Sequence, residues 1–249
     1  MNRSFAAVAA STALAGLLLT GCGSSDEKTP AATTSGGAST SASPSPSSTE
    51  PEQPTVGDLY KKTRTASLAA KSGRVKGSVT SDGQKVTVDI RGAADGSNQR
   101  AAIGIGKGTA EILTVKGKYY MSGDAAFWNE QTGDASAAKL LVGKYVAVSS
   151  KDAKDIGDLS LGKILEEMFS ESELSTLETL TSSVETRTVS GKEVWVASDP
   201  SGAEIWVDPK TSLLSKIVIT GDDAGEVSFS EWNAAKTVTA PPASKVVTP

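Results

Sequence analysis

The chain alternates between two hydrophobic periods, and the switches between them outline its elements. From residue 55 the pattern Thr55-Val56-Gly57-Asp58 resembles a capping box, and Leu59, Tyr60, Thr63, Ala66 and Ala69 follow at helical spacing toward a stop at Gly73. The period then becomes two. Val75, Gly77 and Val79 lead to the turn Ser81-Asp82-Gly83, after which Val86, Val88 and Ile90 alternate with Lys85, Thr87, Asp89 and Arg91. A second turn, Asp95 to Asn98, precedes Ala101, Ile103 and Ile105. Two more strands are predicted over Ala110 to Val115 and Lys118 to Met121, about a Lys116-Gly117 turn. Such a run predicts an antiparallel meander with one apolar face.

Between Gly123 and Leu180 helical spacing returns. Asp134 is placed to cap a helix carrying Ala137, Ala138, Leu140 and Leu141, closed by Gly143, and a short strand follows over Tyr145 to Val148. Leu161, Ile164, Leu165, Met168 and Phe169 form an i, i+3, i+4 stripe, and Ser170 with Glu173 offers a capping box before Leu174, Leu177 and Leu180. Five further strands are predicted over Val184 to Val189, Glu193 to Ser198, Ala203 to Asp208, Leu213 to Thr220 and Glu226 to Trp232. The order is helix, strands, helices, strands. Short strand-to-strand links imply an α+β fold: a curved antiparallel sheet with the central helices folded on one face.

The first 54 residues behave differently. Arg3 followed by the apolar run Phe5 to Leu19 has the form of an export signal, and the run is too short for a resident membrane helix. Leu19-Thr20-Gly21-Cys22 resembles the bacterial lipobox, which implies a diacylglycerol on Cys22, cleavage before it, and attachment to the extracytoplasmic face of the cell membrane. Residues 23 to 54 lack any large apolar side chain and cannot bury enough surface to order themselves. The expected organisation is a signal peptide at 1–21, an acylated cysteine and disordered tether at 22–54, and one folded domain at 55–249. As a flexible coil the tether's ends lie about 30 Å apart, and about 100 Å when stretched. Its Ser/Thr/Pro bias also suits O-linked glycosylation.

Composition removes several classes of chemistry. The chain has no histidine and one cysteine, so the commonest general base, the usual metal ligands and structural disulfides are missing. Loss of Arg3 with the leader leaves 24 Lys+Arg against 29 Asp+Glu, and this acidic balance argues against a nucleic-acid partner. Gly104-Ile105-Gly106-Lys107-Gly108 is flanked by strands on both sides and reads as a hairpin rather than a phosphate loop. Glu166, Glu167, Glu171 and Glu173 lie opposite the apolar stripe and read as a solvated face, and Asp222-Asp223 reads as a turn. No G-x-S-x-G elbow or calcium loop occurs, so neither an enzyme nor a cofactor is expected. The four tryptophans, Trp128, Trp195, Trp206 and Trp232, suit core packing, a sugar platform or a lipid pocket. Around Trp195 and Trp206 the neighbours Val194, Val196, Ile205 and Val207 point to the opposite face. One side of the sheet there is therefore expected to need a cover or a partner.

The acylated cysteine, the tether and the element order together resemble the actinobacterial LppX/LprG group of lipoproteins within the LolA/LolB-like superfamily. The most specific pieces are Phe229-Ser230-Glu231-Trp232-Asn233, then Val238-Thr239-Ala240-Pro241-Pro242 and Val246-Val247, with the pair Glu111-Ile112-Leu113 and Gly117-Lys118-Tyr119-Tyr120. The resemblance implies a half-barrel whose concave side, roofed by helices, encloses an apolar cavity that carries a lipid or glycolipid through the envelope. Its candidate lining is Val86, Val88, Ile90, Ile103, Ile112 and Met121 from strands, with Leu141, Leu161, Ile164, Leu165, Met168 and Phe169 from helices. The alternative is a non-enzymatic envelope interaction module with a solid core.

Overall fold

In a computed structural model the described residues are 53–149, 153, 159–170 and 184–248. The signal sequence, Cys22, the tether up to residue 52, and Glu173 with the helix expected through Leu180 lie outside them.

Helix α1 spans Val56–Leu68, and the Thr55 hydroxyl oxygen accepts the Asp58 N–H at 3.1 Å. The capping box is therefore half formed, because the Asp58 carboxylate accepts from the Thr55 hydroxyl at 3.0 Å rather than from its backbone. Gly73 is not the helix stop. It is the second residue of strand β1 (Ser72–Ser81), and a Cβ there would lie 2.9 Å from Leu161 Cδ2, so the missing side chain makes room for a helix above it.

The meander then proceeds as read: β2 (Gln84–Ala93), β3 (Asn98–Ile105), β4 (Gly108–Val115) and β5 (Lys118–Gly123). Two short helices follow. α2 (Ala125–Thr132) was not legible from spacing; Asp124 caps it, accepting from Phe127 N–H at 2.8 Å. α3 (Ala135–Leu141) is capped by Asp134, and β6 (Tyr145–Val148) follows it. Helix α4 covers Leu161–Met168. The return meander is β7 (Glu185–Val189), β8 (Lys192–Ser198), β9 (Glu204–Val207), β10 (Leu214–Ile219) and β11 (Gly225–Ser230), and a two-residue β12 (Val246–Val247) closes the chain.

All twelve described strands form one curved, unclosed sheet in the order β12-β6-β5-β4-β3-β2-β1-β11-β10-β9-β8-β7. Neighbours are antiparallel except β12 with β6. β1 joins the two meanders, with β2 on one side and β11 on the other. The C-terminal tail crosses the sheet: Trp232 Nε1–H donates to Leu214 O at 2.8 Å, Asn233 N–H to Ser72 O at 2.8 Å, and the Asn98 amide exchanges two bonds with the Val238 backbone at 2.9 and 2.8 Å. It ends against β6, so the Pro-containing C-terminus covers part of an edge that would otherwise present unpaired backbone groups.

Gly77, in the middle of β1, has no room for a side chain: a Cβ would collide with the backbone of Glu226 and Val227 on β11. Gly225 on β11 stands in the same relation to Ser78 and Val79. The two strands thus approach closely where the halves of the sheet join. Gly77→Ala is expected to lower stability by about 2–4 kcal/mol, because the obstruction is backbone that cannot rotate away. Urea unfolding monitored by tryptophan fluorescence measures it, with Gly83→Ala in the open β1–β2 turn for comparison.

Candidate functional site

The strand register sorts the apolar residues into rows that cross one face of the sheet. The first row runs Val146, Met121, Ile112, Ala101, Ile90, Val75 and Phe229 from β6 to β11. The second runs Ala110, Ile103, Val88, Gly77, Val227, Ile217 and Ile205 from β4 to β9. The third runs Gly108, Ile105, Val86, Val79, Gly225 and Ile219. Val86, Val88, Ile90, Ile103, Ile112 and Met121, proposed from the alternation alone, therefore share one face.

Cover over these rows is uneven. Ser160 caps α4, accepting from Lys163 N–H at 3.3 Å; Gly162 N–H donates to Ala94 O at 2.8 Å; and at the other end Arg64 Nε–H donates to Phe169 O at 3.2 Å. Pinned at both ends, the helix drives Leu161, Leu165 and Phe169 into a buried cluster with Val75, Phe229, Leu214 and Tyr60, and Met168 packs on its side. Layer meets layer here, so these three helix residues build core rather than line open space. Ile112 belongs to a second cluster with Ala153, against which Tyr119, Met121, Val148 and Leu159 pack, so its cover is not α4. Ile164 is half-buried on α4, and Leu141 is half-buried on α3, away from the rows.

Beyond the first row the cover thins. Val88, Val227 and Ile217 touch the α4 cluster from its rim. Val79, Val86, Ile103 and Ile219 belong to no described core cluster and are half-buried, while Ile105 is 43% exposed. The face is thus a packed floor at the α4 end and an accessible aliphatic surface at the other.

Below the first row lies a polar pair that the sequence reading passed over. Gln99 and Thr114 face each other across β3 and β4, both buried, and neither Gln99 Oε1 nor Thr114 Oγ1 has a hydrogen-bond partner among the described residues. The alternation that places Ala101 and Ile103 inward also places Gln99 inward, so the signal was present in the register.

The opposite face is polar and internally paired. The Arg74 guanidinium binds both Asp89 oxygens at 2.8 and 2.6 Å, and that hydrogen bonding holds Asp89 below the usual carboxylate range despite partial burial. Arg100 pairs with Glu111 at 2.5 Å, and Lys216 with Glu226 at 3.1 Å. Burial, then the hydrogen bond its hydroxyl donates to Glu111 at 2.9 Å, pushes Tyr145 above the ordinary phenol range. Two recesses on this face, lined among others by Lys76, Lys85, Thr87, Asp89 and Glu226, are shallow and open to solvent.

The expected need for a cover around Trp206 is met from within. Lys216 Nζ stands 4.3 Å and the Arg187 guanidinium 5.7 Å from its ring centroid, and the indole N–H donates to Glu204 at 2.6 Å. Trp195 points the other way, into a cluster with Leu59, Val184 and Val207. Gly106, at φ 60°, makes the β3–β4 turn, so the glycine-rich stretch is a hairpin.

No protein-family model and no curated protein matches the chain. Among solved structures it is similar to LprF from Mycobacterium bovis, at 15% identity and a TM-score of 0.48, covering 76% of this chain and 98% of that one. It is also similar to the Mycobacterium tuberculosis lipoprotein LppX, at 14% identity and TM-score 0.39, covering 74% and 98%. An uncharacterized conserved protein from Thermus thermophilus aligns at 6% identity and TM-score 0.32, covering 77% and 98%. LppX is one of the lipoproteins that give their names to the group the sequence resembles.

The unpartnered hydroxyl at position 114 generates a stability test. Thr114→Val should raise stability by about 1 kcal/mol, because a buried hydroxyl without a partner is replaced by a methyl of similar shape. Thermal unfolding measures it, and a fall in Tm would show that the hydroxyl is satisfied by a bound molecule.

Proposed function

We propose that the chain is an extracytoplasmic lipoprotein, held to the cell membrane through Cys22, whose domain binds the acyl part of a lipid or glycolipid on the accessible half of its apolar face and carries it between sites in the envelope. One observation supports the reading above others: the apolar rows continue past α4, leaving Val79, Val86, Ile103, Ile105 and Ile219 on that face outside every core cluster of the described residues. An aliphatic surface of this kind, bounded by a packed floor, offers contact to a flexible chain without requiring a polar match. Met168 at the rim and half-buried Ile164 on α4 would adapt to it. No helix of the described residues is long and apolar enough to cross a membrane, and attachment in this reading rests on the anchor.

The direct packing of Leu161, Leu165 and Phe169 on the first row favours the second reading, an interaction module with a solid interior. The two part at the second- and third-row residues outside the α4 cluster. Ile103→Trp or Val86→Trp should abolish co-purification of lipid while moving Tm little, since the added ring enters space that ligand would occupy. In a closed core the same changes overpack and cost about 1–3 kcal/mol with no lipid to lose. Lipid extraction and mass spectrometry beside thermal unfolding separate the outcomes. Loss of stability in both variants, with no lipid in the parent protein, overturns carriage.

Attachment has its own test. Cys22→Ser should move the protein from the membrane fraction to the medium, because each buried acyl methylene contributes about 0.8 kcal/mol and a diacylglycerol supplies two chains. Membrane retention of that variant in fractionated cells would count against the anchor.

A further inference from the structure

Four large aliphatic side chains are exposed among the described residues, Ile105 at 43%, Leu140 at 77%, Val142 at 46% and Val189 at 42%, and the first three stand at the end of β3 and at the end of α3, which α2 links to β4. Ile105 ends β3 opposite Gly108, and two residues along, Ala110 of β4 stands opposite Gly123 of β5. The next residue, Asp124, accepts from Thr109 N–H at 3.0 Å and caps α2, so that Phe127 sits over Gly108 and Gly123. α3 packs on α2 and delivers Leu140 and Val142 to the turn before Tyr145, where β6 begins beside β5. The seven-residue α3 buries only Ala138, and its long aliphatic end points away from the protein.

Three lysines share the corner. Lys107 occupies the tip of the β3–β4 hairpin, Lys139 precedes Leu140, and Lys144 follows Val142 by two residues. None of them forms an ion pair among the described residues, in a chain whose net charge is −4. Of the carboxylates on these elements, Asp124 and Asp134 cap helices, Asp134 accepting from Ser136 N–H at 2.7 Å, and Glu130 is exposed on α2. Single exposed aliphatics are ordinary, whereas aliphatics clustered with unpaired lysines match what a negatively charged lipid surface recognises.

We propose that this corner docks on an anionic membrane surface, with Leu140 and Val142 entering the headgroup–acyl boundary and Lys107, Lys139 and Lys144 meeting the phosphates. The inference rests on the reading that the domain works beside a membrane and adds which face it presents. The expected tether, about 100 Å when stretched, exceeds a domain diameter of about 40 Å, so the anchor leaves orientation open and surface chemistry selects it. The acidic turns at Asp82 and Asp222-Asp223 stand at the same third-row end of the sheet, beside β1, β2, β10 and β11, so the surface is met on the α3 side of that end. Docking there sets the bilayer at the start of the third apolar row, because Ile105 belongs both to that row and to the exposed patch.

The test uses the mature chain from residue 22 with Cys22→Ser, so that no acyl group contributes, and co-sedimentation with vesicles of phosphatidylglycerol or of phosphatidylcholine. Binding is expected to the former and to weaken with salt. Leu140→Asp should weaken it at least about tenfold, and Lys139→Glu by about fivefold, both with unchanged Tm because the side chains are exposed. Val189→Asp, on the distant β7–β8 hairpin, should bind as the parent does. The proposal is overturned if the parent does not bind phosphatidylglycerol, if Leu140→Asp and Lys139→Glu bind as the parent does, or if Leu140→Asp instead dissolves a dimer formed without lipid. Ile103→Trp keeps the two readings apart. It should lose lipid uptake and still sediment with vesicles; vesicle binding without lipid uptake by any variant removes carriage and leaves docking, and uptake without vesicle binding does the reverse.

Discussion

Everything in this domain depends on the register of β1. That strand pairs with β2 over its full length and with β11 over six residues, and so fuses two meanders between which the described α2, α3, β6 and α4 fall in sequence. Side chains alternate strictly along a strand, so a slip of one residue would turn Val75 and Val79 outward and bring Arg74 and Lys76 under α4. The register is held from both faces. Val75 is locked beneath Leu161 and Leu165, and Arg74 is locked to Asp89 across the outer face. Gly77 and Gly225 then let the two backbones approach at the junction, and this closeness accommodates the curvature of a twelve-stranded open sheet.

Elements defined by local pattern were legible. The period-two runs outlined the ten strands β2 to β11, and helical spacing the helix at Leu161, to within three residues, because alternation and helical spacing are properties of neighbours along the chain. Features that depend on distant partners were not. β1 with β11, and the parallel β12 beside β6, are pairings between segments over a hundred residues apart, and no local period encodes them. Gly73 shows the same limit in one residue: locally it reads as a helix stop, but its cause is Leu161, 88 positions later, pressing on the strand. α2 escaped because it buries little beyond Trp128 and carries no apolar stripe to betray its spacing.

The candidate site divided along the same line. Alternation assigned Val86, Val88, Ile90, Ile103, Ile112 and Met121 to one face, and the register places them there. How much of that face is covered is a question of where a helix lands, and that is decided by contacts such as Gly162 with Ala94 and Arg64 with Phe169. The strongest apolar stripe in the sequence accordingly became the best packed part of the core. Burying Leu161, Leu165 and Phe169 at about 25 cal/mol per Å² is a large share of what a domain without disulfides has available for stability.

That division has a mechanical consequence. A carrier must hold its fold while its ligand space fills and empties, and one continuous core would make the two events compete for the same contacts. Here the α4 cluster stands on the first row, whereas the accessible aliphatics stand on the third row and, at Ile103, on the far end of the second. The second row, where Val88 and Val227 touch the cluster from its rim, is the shared boundary. Ligand on the third row would therefore add contacts to a sheet already stabilised elsewhere, and its departure would leave the α4 core intact. Stability would rise with occupancy as mass action requires, but folding would not await it. The polar outer face fits the same logic: its ion pairs and the cation-covered Trp206 satisfy themselves, so among the described residues most of the unmet apolar surface lies on the third row and at the α3 corner.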